Sequence, residues 1–223
     1  MVYISQFGHI MMDLESLIRA LKDKSVLRDP QIEAALRAVD RKDFIPKELR
    51  DSAYIDTALP VGFGQTISQP YTVVFMLELL APSVGEKILD IGYGSGWQTA
   101  LLAHLVGDTG VVYGVEIVPE LCRFGAENIA KYSELCPRIH LECRDASSGA
   151  NIPRGTFIDK IIAAAEVDVI PKAWRAQLRV GGKMIYPSRG SIMLETNLGG
   201  NKFARKEFPG FAFVPFVSPS RNI

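Results

Sequence analysis

The sequence predicts an α/β fold: a doubly wound, mostly parallel sheet with extra helices at its N-terminal end and an antiparallel edge at its C-terminal end. Three observations predict it. Between residues 87 and 187, short apolar runs rich in Ile and Val alternate with helical patterns, the order that builds parallel strands joined by crossover helices. One of those runs opens into a glycine-rich turn and a helix, "LDIGYGSGWQTALLA" from Leu89 to Ala103. Beyond residue 190, strand-like runs follow one another through Gly-rich turns with no helix between them, which reads as antiparallel pairing at a sheet edge.

Taken in order, Leu14, Leu17, Ile18 and Leu21 recur at helical spacing behind Asp13, and Ile32, Ala35, Leu36 and Val39 repeat the pattern after Asp29-Pro30. Two short amphipathic helices therefore open the chain. Residues 41–69 lack a period and are rich in Pro and Gly, but their aromatic and apolar content predicts an ordered connection; connections this long are usually functional or disordered. Pro70 suits a first helical position, and Val73, Met76, Leu77 and Leu80 form a face expected to end near Pro82. The alternation then reads as strand 87–91, helix 96–105, strand 111–116, helix 119–132, strands 139–142 and 160–163, helix 172–178 and strand 183–187, with tail strands at 192–196, 203–208 and 211–217. Residues 1–69 are expected to pack, as helices and a covering segment, on a core of residues 70–223, making one compact domain overall.

The totals bound the function classes. A chain of 223 residues supports one substantial core. Its 25 Lys and Arg balance 25 Asp and Glu, so bulk attraction to nucleic acid or an anionic membrane is not expected. The three cysteines, Cys122, Cys136 and Cys143, are odd in number and lack C-x-x-C spacing or a paired His, so neither a disulfide nor a metal site is expected; thiols in a reducing cytosol are. Residues 1–12 carry no basic leader and no run long enough to cross a bilayer, and a cytoplasmic protein is expected. His9, His104 and His140 have no catalytic companions and read as structural.

The glycine turn carries the chemistry. Its glycines are Gly92, Gly94 and Gly96, and Trp97 stands where a dinucleotide fingerprint would have its third glycine. Asp90 precedes them. A pyrophosphate favours the backbone cradle without a nearby carboxylate, whereas a ligand bearing an ammonium group favours one, so the pattern points to S-adenosylmethionine. Glu116 ends the next strand, where an acidic side chain accepts from both ribose hydroxyls; the alternative is a solvated strand end. Asp145 follows the third strand, placed either for the adenine amino group or for a turn cap. The fourth strand ends in Ala163-Ala164-Ala165-Glu166, without the Asn or Asp and paired prolines common where a base amino group is methylated. Glu166 is either a functional carboxylate or a loop residue.

The segments "AYIDTALPVGFGQTISQPYTVVFMLELL", "LDIGYGSGWQ", "VYGVEIVPEL", "IIAAA", "QLRVGGKMIYP" and "FAFVPF" resemble, in that order, the protein-L-isoaspartate O-methyltransferase family. The resemblance runs from about Arg41 to Val217, and Pro60 to Pro70 is its most specific part. It implies a seven-stranded, Rossmann-like class I S-adenosylmethionine-dependent methyltransferase fold, acting on the free carboxylate of isoaspartyl residues in damaged proteins; a monomer is expected. The resulting ester collapses, with loss of methanol, to a succinimide that can reopen as aspartate, and S-adenosylhomocysteine is the other product. The resemblance puts Ser68 at the reaction centre. The cofactor falls to Asp90, Gly92, Gly94, Gly96, Glu116, Ile117, Asp145 and Ala146, with Ile67, Gln69, Pro70 and Tyr71 closing over it. Asp56, Thr66, Val214 and Pro215 fall to the substrate, Asp56 alternatively to fixing the loop. Tyr93 departs from the family's usual Thr or Ser, and Ala146 from its Gly. Two rival readings share the fold: a methyltransferase for another carboxylate or small molecule, and a cofactor-binding relative without catalysis.

The neutrality of "GQTISQP", Gly64 to Pro70, fits carboxylate methylation. A carboxylate with a pKa of about 4 is already ionised at neutral pH, so no general base is required. A hydroxyl such as that of Ser68 can orient the anion without holding it too tightly. From position alone Ser68 also suits a cap for the helix that follows.

Overall fold

The computed structural model describes Tyr3–Ile4 and residues 10–217, and His9 lies outside them. Strands β1 (Tyr3–Ile4) and β2 (Ile10–Met11) pair antiparallel ahead of helices α1 (Leu14–Asp23) and α2 (Pro30–Ala38). Both helices start as the sequence predicts, with Asp13 accepting from the Ser16 N–H and Asp29 from the Gln31 N–H at 2.8 Å each. Their apolar faces, Leu17, Ile18 and Leu21 in one and Ile32, Ala35 and Leu36 in the other, are buried.

Residues 41–69 are ordered as expected, but with elements that no periodicity announces. Two 3-10 helices (Arg41–Phe44, Lys47–Ser52) lead to a hairpin of β3 (Leu59–Gly62) and β4 (Gln65–Ile67). Phe63 and Gly64 close it with φ of 55° and 69°. Helix α3 (Pro70–Leu80) follows, and Ala81 ends it in a left-handed conformation at φ 52° just before Pro82.

The alternation then runs β5 (Lys87–Ile91), α4 (Trp97–Val106), β6 (Val111–Glu116), α5 (Pro119–Ile129), β7 (Ile139–Cys143), β8 (Ile158–Ala163), α6 (Lys172–Gln177), β9 (Leu178–Ser188), β10 (Ser191–Gly199) and β11 (Lys202–Pro209). The sheet order is β11-β10-β9-β8-β5-β6-β7, with β10 antiparallel to both of its neighbours, β9 and β11, and every other neighbouring pair parallel. Successive strand residues serve opposite faces. Ile88, Val112, Ile162 and Ile185 join the core formed with α1 to α4, while Leu89, Val115, Ile161 and Met184 join a second core around Trp174 and Leu178. Because β6 and β8 flank β5, the chain leaves β5 in one direction and returns in the other. That switch point opens a crevice at the strands' carboxyl ends.

Two expectations are corrected here. Residues 211–217 form no strand; their single ladder contact is a parallel bridge between Pro215 and Glu166. Pro209 and Pro215 cannot donate to a ladder, and Gly210, at φ 97°, turns the chain back over the crevice. The segment is pinned there by the Glu166 N–H donating to the Val214 carbonyl and the Phe216 N–H donating to the Glu166 carbonyl, both at 2.8 Å. The second correction concerns the cysteines. Cys122 and Cys143 form a disulfide, leaving Cys136 as the free thiol. An odd count does not prevent one pair from forming, and the first turn of α5 passes beside the end of β7, an encounter that spacing along the chain cannot reveal.

Candidate active site

Two adjoining cavities lie at the carboxyl ends of the strands. The narrower is lined by Gly92 and Gly94, Val115, Glu116 and Ile117, and Arg144 and Ala146. The broader, of about 920 Å³, runs past Ser68, Gln69, Tyr71 and Phe75 to Phe208, Phe211 and Phe213. Thr66, Ala164, Val214 and Pro215 line both, so they form the junction.

The glycines divide the labour of the turn. Gly92 (φ 74°) and Gly94 (φ 50°) take conformations that side chains rarely adopt, and a Cβ on either would find no atom nearer than 3.9 Å. Open space beside exposed backbone is what a nucleoside cofactor approaching the turn needs, so the residues fit S-adenosylmethionine. Gly96 serves the fold instead: a Cβ there would lie 2.9 Å from the Gly125 carbonyl oxygen and from Ile129 on α5. Gly96 lines neither cavity.

Glu116 is 6 % exposed, which rules out a solvated strand end. One oxygen accepts from the Gly94 N–H at 3.0 Å, and the other from Ile117 and Val118 N–H groups at 2.8 and 2.9 Å. Three backbone donors thus aim its carboxylate into the narrow cavity, with acceptor capacity left for ribose hydroxyls. Asp90 has a different placement. It is fully buried and absent from both linings, with its oxygens accepting from Gln98 Nε2 (2.7 Å) and Thr99 Oγ1 (2.6 Å) of α4. Burial pushes its carboxyl up to about 6 against the pull of those two hydrogen bonds, with the Glu116 charge raising it further. The residue ties β5 to α4 beneath the turn, because β-strand alternation turns it away from Ile91 and the cavity.

Asp145 takes the cap reading, accepting from the Ser147 N–H and hydroxyl at 2.8 and 2.9 Å, and does not line the cavity. Ala146 does line it, and its carbonyl accepts from Trp174 Nε1 at 2.7 Å. Arg144, which the sequence reading did not place in the site, also lines the cavity; it pairs with Glu142 at 2.5 Å and braces the loop through the Asp145 and Gly149 carbonyls. Tyr93, bulky in the turn's sequence, points beneath it. Its ring packs where Gly114 and Gly125 leave room, and its hydroxyl donates to the Cys122 carbonyl at 3.3 Å.

On the other side of the junction, Ser68 lines the broad cavity and does not cap α3, whose cap residue is Gln69 with no side-chain hydrogen bond. Gln69 and Tyr71 face this broad cavity and not the narrow one. Ile67 and Pro70 are buried and line neither, because alternation along β4 sends Thr66 outward and Ile67 inward, and Pro70 begins α3 inside the core. Asp56 takes the loop-fixing role: it accepts from the Tyr71 N–H at 2.8 Å, pairs with Lys24 at 2.7 Å, and its carbonyl accepts from Gln69 Nε2. Glu166 likewise accepts from the Arg189 N–H at 2.8 Å as a loop residue.

The chain is similar to known proteins in the same sense as its geometry. Residues 12–221 match the family model of protein-L-isoaspartate(D-aspartate) O-methyltransferase. It is 36 % identical over 209 residues to the protein-L-isoaspartate O-methyltransferase of Methanopyrus kandleri, covering 91 % of this chain and 90 % of that one. The namesake in Flavobacterium psychrophilum is 38 % identical, covering 90 % of this chain and 92 % of that one. A Plasmodium falciparum candidate of the same name, solved in complex with S-adenosyl-L-homocysteine, superposes with a TM-score of 0.81 at 22 % identity, covering 92 % of this chain and 99 % of that one; it bears on the fold alone. With its class I methyltransferase fold, this chain belongs to the protein-L-isoaspartate(D-aspartate) O-methyltransferase family.

Proposed function

We propose that the protein transfers a methyl group from S-adenosylmethionine to the free carboxylate of L-isoaspartyl residues in damaged proteins and peptides, initiating their repair through a succinimide. The observation that carries this reading is the junction between the cavities, where Thr66, Ala164, Val214 and Pro215 present no charged side chain and Ser68 stands beside them. When bound, S-adenosylmethionine supplies a methyl carbon made electrophilic by its sulfonium.

The chain's own residues bind, orient and exclude water. Glu116, Gly92 and Gly94 hold the nucleoside end in the narrow cavity, and the extended peptide lies in the broad one. The Ser68 hydroxyl donates to the substrate carboxylate and turns one oxygen toward the junction. Ala164, Val214 and Pro215 keep the junction dry as opposite charges neutralise, which favours the transfer. The carboxylate arrives ionised, and the junction supplies no base because none is needed. This neutral wall favours an anionic acceptor, and the family match favours the isoaspartyl carboxylate over another one. The same reading makes the protein a cytoplasmic monomer acting on polypeptides, not on nucleic acid. Among the described residues no helix is long and apolar enough to cross a membrane. The Cys122–Cys143 bond would then rank it with the minority of cytosolic proteins that keep a structural disulfide.

The test is Ser68→Ala. Base-labile methyl ester on an isoaspartyl peptide should fall about 10- to 100-fold, one hydrogen bond to a charged group being worth about 1.5–3 kcal/mol, while S-adenosylhomocysteine binding stays within about twofold. Full activity in Ser68→Ala would remove Ser68 from the reaction centre.

A further inference from the structure

Arg41 is the one guanidinium sealed in the interior of the described residues, with 1 % of its surface exposed. Among the described residues no carboxylate lies within ion-pair distance of it. Its two terminal nitrogens donate only to main-chain carbonyls: Nη1 to Ala53 at 2.6 Å, and Nη2 to Thr57 at 3.0 Å and to Ser68 at 3.1 Å. Its Nε is buried without a partner. A buried charge costs several kcal/mol unless its surroundings compensate it, so packing alone is a poor reason for Arg at this position.

The contacts join parts of the site that are distant in sequence. Ala53 and Thr57 bound the loop that carries Asp56, and Ser68 directly follows the hairpin and lines the broad cavity. The guanidinium also lies 5.4 Å from the ring centroid of Trp97, the first residue of the helix that follows the glycine turn. Trp97 in turn donates to the Val39 carbonyl at 3.3 Å, two residues before Arg41. The segment bearing Arg41 is itself held: Asp40 accepts from the Lys42 N–H and from the Tyr54 hydroxyl, both at 2.9 Å.

We infer that Arg41 is a positioning residue for Ser68: its planar fork fixes the Ser68 carbonyl against the Thr57 and Ala53 carbonyls, and so fixes where the Ser68 hydroxyl meets the substrate carboxylate. The inference rests on the reading of Ser68 given above. A planar fork holds three carbonyls in one geometry, which a lysine ammonium on a flexible stem cannot reproduce even though it keeps the charge.

The experiment compares Arg41→Lys, Arg41→Met, Ser68→Ala and the double variant Arg41→Lys/Ser68→Ala. Each is checked for a cooperative melt and for S-adenosylhomocysteine affinity, then assayed for kcat and KM with an isoaspartyl peptide. Arg41→Lys is expected to fold, to bind S-adenosylhomocysteine within about threefold of the parent, and to lose at least tenfold in kcat. In the Ser68→Ala background the same change should cost less than about twofold, because the group it positions is gone. Arg41→Lys with parental kcat would overturn the inference, as would an undiminished loss in the Ser68→Ala background. If Arg41→Met alone fails to fold, Arg41→Lys carries the test; failure of both would assign Arg41 to the fold and overturn the inference too. A Ser68→Ala variant of full activity is a separate outcome, which removes the reading of Ser68 itself.

Discussion

Replacing two glycines of the same turn by alanine should separate folding from binding. Gly92 and Gly96 both have positive φ, 74° and 89°, so each substitution forces a side chain into the left-handed region at a cost of about 1–2 kcal/mol. Their surroundings differ. A Cβ at Gly92 meets nothing nearer than the Ala165 Cβ at 3.9 Å, whereas one at Gly96 meets the Gly125 carbonyl and Ile129 at 2.9 Å. Backbone cannot yield as a flexible side chain does, so Gly96→Ala adds an overpacking cost of about 1–3 kcal/mol, for a total of about 2–5 kcal/mol. Binding should show the reverse order. The Gly92→Ala methyl enters the narrow cavity and should weaken S-adenosylhomocysteine at least tenfold, while Gly96→Ala, where still folded, stays within about threefold. Urea unfolding and titration calorimetry measure the two quantities. Equal destabilisation by both, or tighter binding loss in Gly96→Ala, would refute the division of roles.

Three further outcomes follow from the interior. Asp90 titrates at about 6 in the fold against an ordinary 3.8, chiefly through burial, so the folded state holds the proton more tightly. Its stabilising contribution is complete below the unfolded value and is lost as pH rises through the folded one; Asp90→Asn should abolish that slope, gaining up to about 3 kcal/mol relative to the parent between pH 4 and 7 in urea titrations. Reducing the Cys122–Cys143 bond, which spans a sequence separation of 21, should lower stability by about 3 kcal/mol, read from unfolding with and without a phosphine reductant. Glu116→Gln should weaken S-adenosylhomocysteine about 10- to 100-fold, since a charged acceptor for hydroxyls is replaced by a half-donor amide; unchanged affinity would remove Glu116 from the cofactor site.

What the sequence made legible was whatever has a period or a backbone requirement. Alternation gave the parallel core, Asp13 and Asp29 announced their helices, and Gly92 and Gly94 marked the cradle. The 3-10 turns of residues 41–52 follow no period longer than a turn, so nothing in the pattern announced them, and with them went the setting of Arg41. Residues 211–217 look like a strand by composition, and it is Pro209, Gly210 and Pro215 that turn them across the crevice. Asp90 was read for its charge, yet its burial against Gln98 and Thr99 gives it a structural task. Arg144 carried one signal, its departure from the family's usual Gly before Asp145, but nothing in the sequence said that it lines the cavity. Cys122 and Cys143 meet only because α5 folds back beside β7. Ser68 illustrates the limit best: position alone favoured a helix cap, the resemblance favoured the reaction centre, and the fold places the residue in a cavity lining with its carbonyl held from behind.

The most direct measurement of the central claim pairs two peptides that differ only in an isoaspartyl or aspartyl linkage at one residue. Incubated with the protein and methyl-labelled S-adenosylmethionine, the isoaspartyl peptide should gain one base-labile methyl ester on its free α-carboxylate, located by tandem mass spectrometry, and then convert through succinimide into the aspartyl form. The aspartyl peptide should stay unlabelled. Equal labelling of both peptides, or S-adenosylmethionine binding without ester on either, would contradict the account.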